Sequence, residues 1–164
     1  MTVRSRLRFR LRHETAEGTA AGVYGLIVGS SVLLTAHAET AYKLDIIVIV
    51  TLTIYWVAER YAKIVAERIH EGHRPAWHVV REQLTGGWEI ISLTVLPLLT
   101  LLLATALGAG LSLAILLALI CSTILLGAVG WYMGSQLEPA ERAVSTLVAT
   151  AFGVVMIALK ILLH

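Results

Sequence analysis

The sequence predicts an all-α polytopic membrane protein: a five-transmembrane-helix bundle with the N-terminus in the cytoplasm and the C-terminus outside. Three observations carry this reading. The 164 residues are 57% hydrophobic and only 15% charged, whereas a soluble domain carries about a quarter charged residues. Apolar runs recur, each of about 20 residues, enough to cross a hydrocarbon core of roughly 30 Å. The basic residues are also strongly one-sided, which fixes an orientation. A secreted domain, a soluble cytosolic enzyme and a nucleic-acid binder are excluded, and the bilayer is the first expected partner. The charge bias fits an integral protein of a bacterial inner membrane.

Residues 1–16 form a basic cytoplasmic arm in which Arg4, Arg6, Arg8, Arg10 and Arg12 alternate with other residues. The expected form is a flexible segment touching anionic headgroups, each Arg contributing about 1 kcal/mol. The single domain then spans 17–164. Its first span, 17–36, carries Gly18, Gly22, Gly25 and Gly29 at i, i+4, i+7 and i+11. This leaves one helical face bare, suited to close backbone approach against another helix, to a dimer axis or to a pathway wall. No cleavage-type pattern precedes the span, so it is read as a retained helix.

The second span, 42–70, is too long to be hidden in a bilayer and is expected to project into the cytoplasm. About 30 residues of helix measure roughly 45 Å. Asp45 lies one turn inside its outer end, where it either snorkels to the interface or handles an ion or proton. At the inner end Glu59, Lys63, Glu67 and Glu71 recur every four residues, giving either a solvated face of ion pairs or a collar that gathers cations. His70, His73 and His78 follow. His70-Glu71-Gly72-His73 is not the helical zinc motif, because Gly72 and Pro75 break the helix such spacing needs. The interfacial loop is the default there, with a metal held by Glu59, Glu67, His70 and His73 as the sharper alternative.

The third span is 88–107, the fourth 111–133 and the fifth 139–163, with a tight turn at Gly108–Gly110 and a helix start at Glu138-Pro139. Ser145, Ala149 and Gly153 make a second small-residue stripe, a candidate partner for the first span. Gly127, Gly130 and Gly134 make a third. Arg4, Arg6, Arg8, Arg10, Arg12, Arg60, Lys63, Arg68, Arg74, Arg81 and Arg142 share one side of this topology, while only Lys43 and Lys160 fall on the other. Cys121 sits in an apolar run and is read as a small buried hydrophobe. No catalytic constellation stands out, so no enzyme is expected.

Gly22-Val23-Tyr24-Gly25-Leu26, the helix ending Trp56-Val57-Ala58-Glu59-Arg60-Tyr61, the run Leu96-Pro97-Leu98-Leu99 and the fifth span from Arg142 with small Ala149 and Gly153 together resemble the vacuolar iron transporter family of five-span divalent-metal/proton antiporters. Tyr24 stands where that family has an acidic residue, Tyr55 where it has a methionine, and the glutamate-rich insert between spans two and three is absent; Glu59 matches the family's glutamate. The resemblance implies a homodimer formed through the first span, with the pathway between protomers. It also implies a divalent metal ion as substrate rather than as a resident cofactor.

The residues and the resemblance together lead to a transporter or channel-like protein for a cation. Glu17 and Glu59 would lie at the cytoplasmic mouth, Tyr24 and Tyr55 along the middle, and Asp45 near the outer exit. The alternative is a non-transporting scaffold or accessory subunit. A lipid-handling protein using the basic arm and Trp77 is a third reading.

Overall fold

A computed structural model describes the backbone over 3–71, 89–133 and 138–163, and side chains over 18–66, 91–132 and 138–162. The described chain is all-helical: α1 Val3–Thr35, α2 Ala41–Glu71, α3 Glu89–Ala106, α4 Leu111–Met133 and α5 Pro139–Leu163. Stretches of α1, α2, α4 and α5 are long and apolar enough to cross a bilayer: Gly18–Thr35, Ala41–Ala66, Leu111–Tyr132 and Pro139–Leu162. These define an integral membrane protein. The described apolar part of α3 is Ile91–Ala106, about 24 Å of helix. Pro97 sits buried inside α3, and the helix runs through it unbroken.

The first correction concerns the N-terminus. The basic segment expected as a flexible arm continues α1 back to Val3, so arm and first span are one helix. Arg and Leu are both good helix formers, and no Gly or Pro intervenes before Gly18. The second helix behaves as expected: α2 extends beyond its apolar stretch to Glu71.

Local chemistry sets the connections at one end of the bundle. α3 stops because Gly108 takes φ +90°, a conformation that suits a residue without Cβ. Its amide donates to the Thr105 carbonyl and that of Ala109 to the Ala104 carbonyl, both at 3.0 Å. This is the paired closure of a Schellman cap. Gly110 then caps α4, its carbonyl accepting from the Ala114 amide. The same end holds the α1–α2 connection, where Thr40 caps α2 through its carbonyl (Leu44 amide, 3.1 Å) and its hydroxyl (Lys43 amide, 3.4 Å). Below it is called the Gly108 end.

The core lies among α1, α2, α3 and α4, with Leu33, Leu44, Val48, Leu52, Leu101, Ala114, Ala118 and Leu119 essentially inaccessible. Between apolar helices in lipid, association depends on close van der Waals packing rather than on removing surface from water. On the glycine face of α1, Gly22, Gly25 and Gly29 are buried and Gly18 is half-buried. A methyl group on Gly29 would stand 2.8 Å from Thr94 Cγ2 of α3.

The second correction concerns the α5 stripe, expected against α1. It packs on α4 instead. A Cβ on Gly153 would lie 2.7 Å from Thr123 Cβ, one on Gly127 2.9 Å from Thr150 Oγ1, and one on Gly130 3.0 Å from Ala149 Cβ. Two small faces on consecutive, antiparallel helices meet first, because the connection between them is short.

Candidate functional site

α2 turns a periodic stripe inward. Ala41, Leu44, Asp45, Val48, Leu52 and Arg60 are all buried, and their i, i+3, i+4, i+7 spacing keeps them on one face. Asp45 is 5% exposed, so it does not snorkel, and its Oδ1 has no hydrogen-bond partner among the described residues. Ser30 of α1 is likewise buried, with its Oγ unpartnered. The Gly29 contact gives the local register, since a Cβ there would also meet Val48 Cγ1 at 3.6 Å. Ser30 and Asp45 each lie from one to three residues beyond that contact, toward the Gly108 end.

Away from that end the stripe is sealed. Leu44, Val48 and Leu52 have no accessible surface, so apolar side chains separate Asp45 from the polar groups at the other end of α2. There Glu59 Oε1 accepts from Lys63 Nζ at 3.1 Å, and both side chains are about a third exposed (28% and 34%). Arg60 is buried, and its Nε has no partner among the described residues.

The remaining expected site residues are dispersed. Tyr24 is 56% and Tyr55 38% exposed, both on the outer surface of the bundle rather than along an interior channel of one chain. Glu17 lies in α1, and Glu67 and His70 lie in α2, but their side chains fall outside the described residues, as does His73 altogether. Among the described residues no group of three His, Cys, Asp or Glu is arranged to hold a metal ion. Of the small residues, Gly29 lies against Thr94 of α3, Gly153 against Thr123 of α4 and Ala149 against Gly130 of α4, while Gly22 and Gly25 are buried and Gly18 is half-buried.

A second polar feature lies at the Gly108 end and was not singled out by sequence reasoning. Lys160, one turn from the end of α5, is only 5% exposed. It lines a cavity of about 480 Å³ together with His37, Glu39, Leu111 and Ser112. A second cavity of about 590 Å³ at this end is lined by Glu39, Thr40, Tyr42 and Thr105. A third, an apolar groove along α5, runs past Trp131, Thr150 and Val154. None of the three is lined by Tyr24, Asp45, Tyr55 or Glu59. The available signal was Lys160 itself, an ionisable residue inside an apolar run and therefore a functional candidate by default.

No protein family, curated protein or solved structure matches the chain.

Proposed function

We propose that the protein is a cation transporter of a bacterial inner membrane, and that Asp45 is its membrane-embedded acidic ligand. The observation that supports this is the buried, unpartnered Asp45 Oδ1. A carboxylate at the bilayer centre costs about 2.5–3.5 kcal/mol on insertion scales and less toward the edge, where Asp45 lies one turn inside α2, while an unmatched buried polar atom adds its own penalty. A cation or proton delivered to Asp45 would remove the penalty, with the Ser30 hydroxyl close in register as a second oxygen. Glu59 and Glu17 would serve the opposite mouth.

The fully buried Leu44, Val48 and Leu52 describe a state in which Asp45 is closed off from that mouth. Transport then requires α2 to shift on its neighbours, or a route outside the core of one chain. The resemblance to the vacuolar iron transporters favours a divalent metal exchanged for protons across a homodimer. On α1 the surface left for a second copy is the one bearing Tyr24, because the glycines face inward. With the charge bias as guide, the Gly108 end faces outward and the Arg60 end inward.

The test is uptake by proteoliposomes holding the purified chain, with Fe²⁺, Mn²⁺, Zn²⁺, K⁺ and H⁺ offered in turn. Flux of one of them above empty liposomes supports transport. Absence of flux for all five overturns it and favours the second reading, a non-transporting scaffold. The apolar seal between Asp45 and Glu59 is the specific observation on that side.

A further inference from the structure

The Gly108 end gathers groups that attract an anion. Lys160 is nineteen-twentieths buried and makes no hydrogen bond or ion pair among the described residues, yet it lines the cavity of about 480 Å³. A lysine ammonium has three donors and no acceptor capacity, so one that reaches this cavity with no protein partner among the described residues is free to hold an acceptor that enters it. The 23-residue helix α4 starts at the same cavity. Its first intrahelical bond of this kind is from the Ala114 amide to Gly110, so the amides of Leu111, Ser112 and Leu113 point out of the helix end unbonded. That end carries the positive pole of the helix dipole. Ser112 and His37 add a hydroxyl and an imidazole to the wall. The one acidic residue in the wall, Glu39, is engaged by Lys43 Nζ at 3.0 Å, which offsets its charge.

We infer that this cavity is a phosphate-binding site, with Lys160 supplying the charge and the start of α4, Ser112 and His37 the hydrogen-bond donors. Donors converging from three separate elements suit an anion with several oxygens, and a helix N-terminus is a ready acceptor of phosphate. The site lies within a turn of the ends of α1 and α5, at one end of the apolar bundle. Its phosphate is therefore either the phosphodiester of a membrane lipid or free inorganic phosphate, and the same chemistry serves both. The inference does not depend on cation transport, since none of its residues belongs to the Asp45 stripe.

The experiment is thermal unfolding of the full-length protein in detergent, titrated separately with phosphatidylglycerol and with inorganic phosphate. A ligand that binds only the folded state raises Tm with a dependence that yields its apparent Kd. The site predicts a saturable rise. A rise with phosphatidylglycerol alone identifies a lipid headgroup, and a rise with phosphate, or competition between the two, identifies a free anion; either supports the site. Lys160→Met, which keeps the apolar stem, should weaken the response about tenfold, the scale of one lost charge-assisted hydrogen bond. Glu39→Gln should strengthen it by removing a carboxylate from the wall, and Ser112→Ala should weaken it. Both of these side chains are exposed, so these variants keep the test decisive even where Lys160→Met does not fold. No rise with either ligand, or a response unchanged by Glu39→Gln and Ser112→Ala, would overturn the inference.

Discussion

The Arg142 guanidinium lies 3.7 Å from the centroid of the Trp131 ring, and its Nε donates to the Trp131 carbonyl at 3.0 Å. One side chain from the first turn of α5 thus satisfies an orphan carbonyl at the end of α4 and covers the ring of the same residue. The contact closes the α4–α5 hairpin at the end where its small-residue faces begin. Arg142→Lys keeps the charge but loses the planar fork that makes both contacts. It should lower stability by about 1 kcal/mol, read as a fall in Tm in detergent. Arg142→Ala should cost as much or more.

Gly153→Ala tests the close approach of α4 and α5. Alanine gains about 1 kcal/mol of helix propensity, while overpacking costs roughly 1–3 kcal/mol. Thr123 cannot easily yield, because its Oγ1 is held by the Leu119 carbonyl at 2.8 Å. The steric term should therefore win and Tm should fall. Thr123→Ala in the same chain should restore it, and a double variant no more stable than Gly153→Ala alone would refute the contact.

Gly29→Ala asks the same question of α1 and α3. The added methyl would meet Thr94 Cγ2, so Thr94→Ser, which keeps the hydroxyl and removes that methyl, should rescue it. Because the contact lies within one chain, the loss of Tm should not vary with protein concentration. A loss that disappears on dilution would place this glycine face at an interface between copies instead.

Gly108→Ala isolates backbone strain from sterics. No atom lies within 4 Å of the position a Cβ would take, but φ is +90°. The expected loss is about 1 kcal/mol, measured by thermal unfolding, and no second-site change in a neighbour should relieve it.

Much of this architecture was legible in the chain. The stop of α3 and the starts of α4 and α5 follow from Gly108–Gly110 and Glu138-Pro139, whose capping chemistry is local. The inward glycines of α1 could be read from spacing alone. Their partner could not, because spacing names a face and not what covers it; Gly29 meets Thr94 of α3, and Gly153 meets Thr123 of α4. Alternating arginines suggest no buried face, yet a helix started elsewhere propagates through good formers at little cost, which is how α1 runs back to Val3. Asp45 was identified, but whether it snorkels or stays buried depends on α1 and α3, which no local pattern reports. Tyr24 and Tyr55 enter through the resemblance; Tyr24 lies away from the buried glycines of α1, whereas Tyr55 continues the Leu44, Val48 and Leu52 spacing yet is 38% exposed, which spacing alone does not report. Lys160 was counted only as a charge. Its burial follows from the α1–α2 connection and the start of α4 closing over the end of α5.

Asp45→Asn should not destabilise the fold. Asparagine keeps the shape and removes a buried charge that no partner among the described residues compensates, so Tm should hold or rise, by about 1–2 kcal/mol in unfolding free energy. Destabilisation of that size instead would reveal a structural partner for the carboxylate.

The most direct measurement is cation flux into proteoliposomes for wild type, Asp45→Asn and Glu59→Gln, each matched for folded content by Tm. The account predicts flux in the wild type, a fall of at least tenfold in Asp45→Asn with folding intact, and a partial fall in Glu59→Gln. Wild-type flux in Asp45→Asn would contradict it.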